Sequence, residues 1–272
     1  MVNVLLTNVC NNIGLPECRA FNVSESSYTG MNKQMFGFDV KTPYTFGMIV
    51  ISILSAVRMV FHVNSLFASV GGNEMKIVYY CFILYNGLLG YLVCLGDDIN
   101  ILSYKAFTAI YMTLNTTFYF AILLSGITAD RIYGIYKMSS FLFMSTITFS
   151  QFGIVLVFYI LSFATNNDIS VIVYYGINFF CVLVFIFIQI GKLKKKNADI
   201  WPYGLLGVIF VLSLITNSLL FVLGDVVAKF SDMTLDNIFL IVLFNLIFLT
   251  MIHKYWINTC DFEVECLTLE VE

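Results

Sequence analysis

Hydrophobic positions in this chain come in unbroken blocks rather than at the period of a strand or of an amphipathic helix. Seven stretches, at 44–63, 75–95, 101–124, 139–163, 169–191, 203–224 and 236–256, are apolar almost throughout. A helix rises about 1.5 Å per residue, so about twenty such residues cross the hydrocarbon layer of a bilayer. A helix apolar on all sides needs lipid or other helices all round it. The pattern therefore predicts an all-α polytopic membrane helix bundle with seven transmembrane helices. Around it lie an N-terminal segment, 1–43, a transmembrane domain, 44–256, and a short acidic tail, 257–272. The connections are too short to hold an extramembrane domain.

Composition agrees. Hydrophobic residues make up 60% of the chain and charged residues 11%, with a mean hydropathy of +0.89; soluble globular domains carry about 25% charged residues. A net charge of -3 offers no basic face for nucleic acid.

Charge also orients the bundle. Lys192-Leu193-Lys194-Lys195-Lys196 lies between the fifth and sixth apolar runs and reads as a short loop, the kind that stays in the cytoplasm. With that loop inside, Arg58, Lys76, Arg131, Lys137 and Lys254 fall on the same side, and only Lys105 and Lys229 fall opposite. Seven spans then put the N-terminus in the lumen and the C-terminus in the cytoplasm.

The N-terminal segment is polar, lacks the features of a signal peptide, and is expected to be retained. Gly14 and Pro16 favour a turn between Cys10 and Cys18. In an oxidising lumen the two cysteines are disulfide candidates, closing a loop worth roughly 2–3 kcal/mol; otherwise they are two free thiols in a frayed tail. Asn22-Val23-Ser24 makes Asn22 a glycosylation candidate, whereas the sequon at Asn115 falls inside the third span.

Polar residues within the spans are mostly neutral: Asn86, Asn115, Gln151, Asn178, Gln189, Asn217 and Asn245. Hydrogen bonds between helices, worth about 0.6 kcal/mol each, are the plain reading of such a set. Arg58 and His62 share a helix face near the cytoplasmic end of the first span, where Arg58 is expected to snorkel.

No catalytic constellation, cofactor motif or metal-ligand spacing stands out. The two histidines, His62 and His253, form no HExxH motif, and the seven cysteines form no CxxC. Asp130-Arg131-Ile132-Tyr133 resembles the signature of rhodopsin-like receptors, but the remaining receptor motifs are missing.

The last span ends in His253-Lys254-Tyr255-Trp256, followed by Asp261, Glu263 and Glu265. Lys254, Tyr255 and Trp256 suit an interfacial anchor, cation at the headgroups and aromatics beside it. The same cluster and its acidic tail resemble the end of the fungal chitin synthase export chaperones, polytopic proteins of the endoplasmic reticulum. Val9-Cys10 followed by Leu15-Pro16-Glu17-Cys18 resembles that family's opening. Gly71-Gly72-Asn73-Glu74 and Cys94-Leu95-Gly96 match it more loosely. The tail departs from the family pattern in Asn258-Thr259-Cys260 and in ending early.

The resemblance implies a membrane chaperone rather than an enzyme, with no cofactor, resident in the endoplasmic reticulum membrane. Its partners would be a chitin synthase client and the lipid bilayer, and its role export of that client for cell-wall synthesis. Gly87, Gly90, Ser125 and Asn245, small or polar, are the expected client-docking positions on lipid-facing surfaces. A lipid or small-solute transporter is the alternative, and a seven-helix receptor a more distant one. The transporter would require Asn86, Asn115, Asn178 and Asn245 to converge on one polar cavity.

Overall fold

The computed structural model describes residues 16–20, 33–35, 38–40, 43–66, 71–94, 101–128, 140–165, 169–195, 200–218 and 237–259. A short helix, α1 (Pro16–Ala20), and a small antiparallel hairpin, β1 (Lys33–Met35) with β2 (Phe38–Val40), precede the bundle. The sequence had suggested neither. Among the described residues seven longer helices follow: α2 (Pro43–Ser65), α3 (Gly72–Cys94), α4 (Ile101–Thr128), α5 (Ser140–Thr165), α6 (Ile169–Lys195), α7 (Ile200–Ser218) and α8 (Asn237–Thr259). Six of these, all but α7, are long and apolar enough to cross a membrane; the apolar part of α7, Ile200–Thr216, is shorter. The protein is a membrane protein built as a helical bundle.

Entry into α3 shows how the sequence sets a boundary. Gly71 adopts a left-handed φ of 82°, which a side chain would disfavour, and its carbonyl accepts the Met75 N–H at 3.1 Å. Glu74 then places an acid in the first turn, where the helix dipole favours it.

Six helices close a ring. α2 packs on α3, α3 on α4, α4 on α6, α6 on α7, α7 on α8, and α8 back on α2. α5 lies outside, against α4 and more lightly against α3. α4 is the hub, with 67% of its apolar stretch buried against 22% for α5. Four of its buried hydroxyls need no partner helix: Thr113, Thr116, Thr117 and Thr128 each bond the carbonyl four residues back, at 2.7–3.0 Å. These four can therefore line the hub's buried faces at little cost.

The lysine-rich stretch differs from the expected loop. α6 continues through Lys195, so Lys192, Lys194 and Lys195 form its last turn. Cations there complement the negative end of the helix dipole, which favours continuing the helix through them.

Candidate functional site: a polar interior with two unlike ends

Successive helices run in opposite directions, which defines two ends. One carries α1 and the starts of α2, α4, α6 and α8. The other carries the lysines of α6.

At the lysine end, polar groups are wired across the ring. The Gly126 carbonyl of α4 accepts two donors from α6, Lys192 Nζ at 2.6 Å and Gln189 Nε2 at 3.3 Å. Gln189 Oε1 in turn accepts the Tyr255 hydroxyl of α8 at 3.1 Å. A Cβ at 126 would stand 2.7 Å from the Phe185 ring and 2.8 Å from Gln189 Nε2, so any larger residue would push these side chains aside.

Beside this network, the chain's two histidines meet although they are 191 residues apart: His62 Nδ1 lies 3.1 Å from His253 Nε2. The Tyr79 hydroxyl lies 2.6 Å from His253 Nδ1. Each contact needs one donor and one acceptor, so a His253 ring with a single N–H serves both and links α2 through α8 to α3. The Trp256 ring rests against His253 at a centroid distance of 6.1 Å.

The opposite end is different. Asn115 Nδ2 donates to the Tyr174 hydroxyl, and Thr116 Oγ1 lies 3.3 Å from the Tyr159 hydroxyl. Tyr174 contacts Tyr159 and Tyr175 edge to face, at 6.1 and 4.7 Å. α1 packs against α4 here and carries Glu17 into the protein. Glu17 is 3% exposed and couples electrostatically to Tyr111, Tyr159, Tyr174 and Tyr175. Burial pushes its carboxyl up to about 7, only partly offset by a hydrogen bond from its own backbone N–H.

Among the described residues, Glu17 Oε2, Thr108 Oγ1, Asn115 Oδ1 and Asn178 Oδ1 have no hydrogen-bond partner. Asn86 Oδ1, Gln151 Oε1 and the Tyr85 hydroxyl share that condition.

The positions singled out from sequence fall as follows. Gly87 faces outward with open space beside it, in the exposed stripe Tyr80, Leu84, Gly87 and Tyr91 of α3. Gly90 is buried, its Cβ position 3.4 Å from Ile49. Ser125 and Asn245 are also buried; Ser125 bonds the Ile122 carbonyl, and Asn245 accepts the Tyr119 hydroxyl at 3.2 Å. These three lie inside the ring rather than on an outward face.

Lys254 is exposed, as an anchor requires, but Tyr255 and Trp256 turn inward and are 4% and 9% exposed. Their partners, Gln189 and His253, lie inside the ring. Arg58 is exposed. Of the amides, Asn115, Gln189 and Asn245 bond other helices, while Asn86 donates to the Phe82 carbonyl of its own helix. Cys10, Asn22 and Asp130-Arg131 lie outside the described residues, as do the side chains of Cys18 and Asn217. No group of three His, Cys, Asp or Glu side chains that could hold a metal occurs among the described residues.

Sequence reasoning passed over Glu17, Gly126 and Tyr174. Glu17 had one usable signal: Leu15-Pro16 before it, a proline suited to the first position of a helix.

Comparison with known proteins follows the same outline. The family model for "Chitin synthase export chaperone" matches residues 5–267. The curated chitin synthase export chaperone of Aspergillus oryzae is 21% identical over 269 residues, covering 91% of this chain and 80% of its own. Those of Emericella nidulans and Fusarium oxysporum f. sp. lycopersici are each 22% identical, covering 91% and 92% of this chain and 80% of their own. No solved structure matches. A family match that runs through the N-terminal segment, all seven helices and most of the tail leaves one conclusion: this chain belongs to the chitin synthase export chaperone family.

Proposed function

We propose that this protein is a non-enzymatic membrane chaperone that helps a chitin synthase fold and leave the endoplasmic reticulum, and so supports chitin deposition in the cell wall. The observation that carries this reading is the family match over nearly the whole chain, joined to a membrane bundle. In the same reading all seven helices span the endoplasmic reticulum membrane. Residues 1–43 are luminal and 257–272 cytoplasmic, the side assignment following the lysine end of α6. Cys10 with Cys18, and Asn22, are then in the compartment where disulfides and glycans form.

The client, a polytopic membrane protein in this reading, docks on outward helix faces. Two candidates stand out: the Gly87 stripe of α3, where a missing side chain permits close helix approach, and α5, outside the ring and apolar all round. Phe149, Ile154 and Leu161 of α5 are 79%, 73% and 59% exposed. Asn115 and Asn245 are each held by a different tyrosine and Asn86 by its own helix, an arrangement that suits packing better than a transport path.

Co-purification in mild detergent from native membranes tests the proposal. A chitin synthase should be recovered with the wild-type chain and lost, or nearly so, with Gly87→Leu or Ile154→Lys. Equal recovery with both variants would reject these surfaces; recovery of no synthase with wild type would reject the function.

A further inference from the structure

A groove of about 380 Å³ opens between α4 and α5 at the end that carries α1. That volume falls in the range of small-molecule sites. Three alanines make the space: Ala106 and Ala109 on α4, and Ala164 on α5. Leu102, Ile160 and Phe163 supply apolar walls. Leu102, Ala106 and Ala109 follow helical spacing along one face, so the trough runs about 10 Å along α4.

One lining residue is polar. Lys105 stands half-buried in the first turns of α4, where helix N–H groups and the dipole also favour an anion. Among the described residues Lys105 has no ion-pair partner.

The trough is therefore apolar along its length and cationic at its mouth, close to a helix end. It is too narrow for another helix: α4 and α5 pack directly on each other, and a helix with side chains is about 10 Å across. A single acyl chain with an anionic head suits both its width and its charge. We propose that this groove binds one glycerophospholipid, an acyl chain lying along Ala106 and Ala109 and the phosphate on Lys105. The lipid fills the seam that joins α5 to the ring.

Native mass spectrometry of the full chain after exchange into mild detergent tests this. Wild type should retain one phospholipid per chain. Lys105→Glu, which reverses the charge at a half-exposed site, and Ala106→Phe, which fills the trough from an exposed position, should each lower retention at least fivefold. Ile154→Phe, on the outer face of α5, should leave it unchanged. Retention unchanged in Lys105→Glu overturns the proposal even if Ala106→Phe fails to fold. So does a bound mass that proves to be a sterol, or a loss of co-purifying client from either groove variant while its phospholipid stays.

Discussion

The two ends of the bundle are built from similar residues and reach opposite outcomes. At the lysine end, Lys192, Gln189, Gly126 and Tyr255 link α4, α6 and α8, and the His62–His253–Tyr79 relay links α2, α8 and α3. From mid-bundle toward the other end, buried acceptors of Glu17, Thr108, Asn115 and Asn178 lack partners. A net hydrogen bond is worth about 1 kcal/mol, whereas a buried polar atom left unpaired costs about 1–3 kcal/mol. One end is thus cross-linked by polar side chains, and the half toward α1 holds buried polar atoms without partners. That half is where buried polar groups have something to gain from a partner.

The sharpest way to break the comparison is to change pH at Glu17. Its carboxyl titrates at about 7 in the folded protein against an ordinary 4.5, so the docked state favours the neutral acid. Docking of α1 is strongest below pH 4.5 and weakens as pH rises through 7. The full swing is on the order of 3 kcal/mol. Hydrogen exchange of α1, corrected for intrinsic rates, should speed up between pH 5.5 and 8 in wild type and stay constant in Glu17→Gln, which remains docked at pH 8. The same pH response in Glu17→Gln would show that another group controls α1.

Next comes Gly126→Val. Its side chain would meet Phe185 at the lysine end of the bundle, costing about 2–3 kcal/mol by overpacking. Unfolding in detergent should register that loss. An unchanged midpoint would mean the α4–α6 seam is looser than its geometry indicates.

Two matched substitutions sharpen the contrast with smaller effects. Gln189→Leu strips the Tyr255 hydroxyl of its acceptor and one donor from the Gly126 carbonyl, costing about 1–2 kcal/mol. Asn178→Leu, at the other end, removes an unpaired acceptor and should be neutral or stabilising by up to about 1 kcal/mol. Equal losses from both in the same unfolding assay would erase the distinction between the ends.

Much of the fold was legible because burial in lipid needs only an apolar run of sufficient length. All seven runs recur as helices, and Gly71-Gly72 marks a boundary that the backbone uses. The ring was not legible: helices apolar on every side carry no periodic mark of which face meets which neighbour, so nothing in α5 announces that it lies outside. The direction of Tyr255 was hidden for a related reason. An aromatic beside a lysine at a helix end suits the headgroup region equally well, and what draws it inward is Gln189, 66 residues away. Glu17 was obscured by its setting, one acid in a polar segment, buried only because α1 packs against α4.

The central claim is that a chitin synthase depends on this protein to leave the endoplasmic reticulum. Imaging a tagged chitin synthase in its native cells after deletion of this chain tests that most directly. The account predicts that the synthase is held in endoplasmic reticulum membranes, with wall chitin reduced, and that restoring the chain returns it to the cell surface. Normal surface delivery of every chitin synthase in the deleted cells would contradict it.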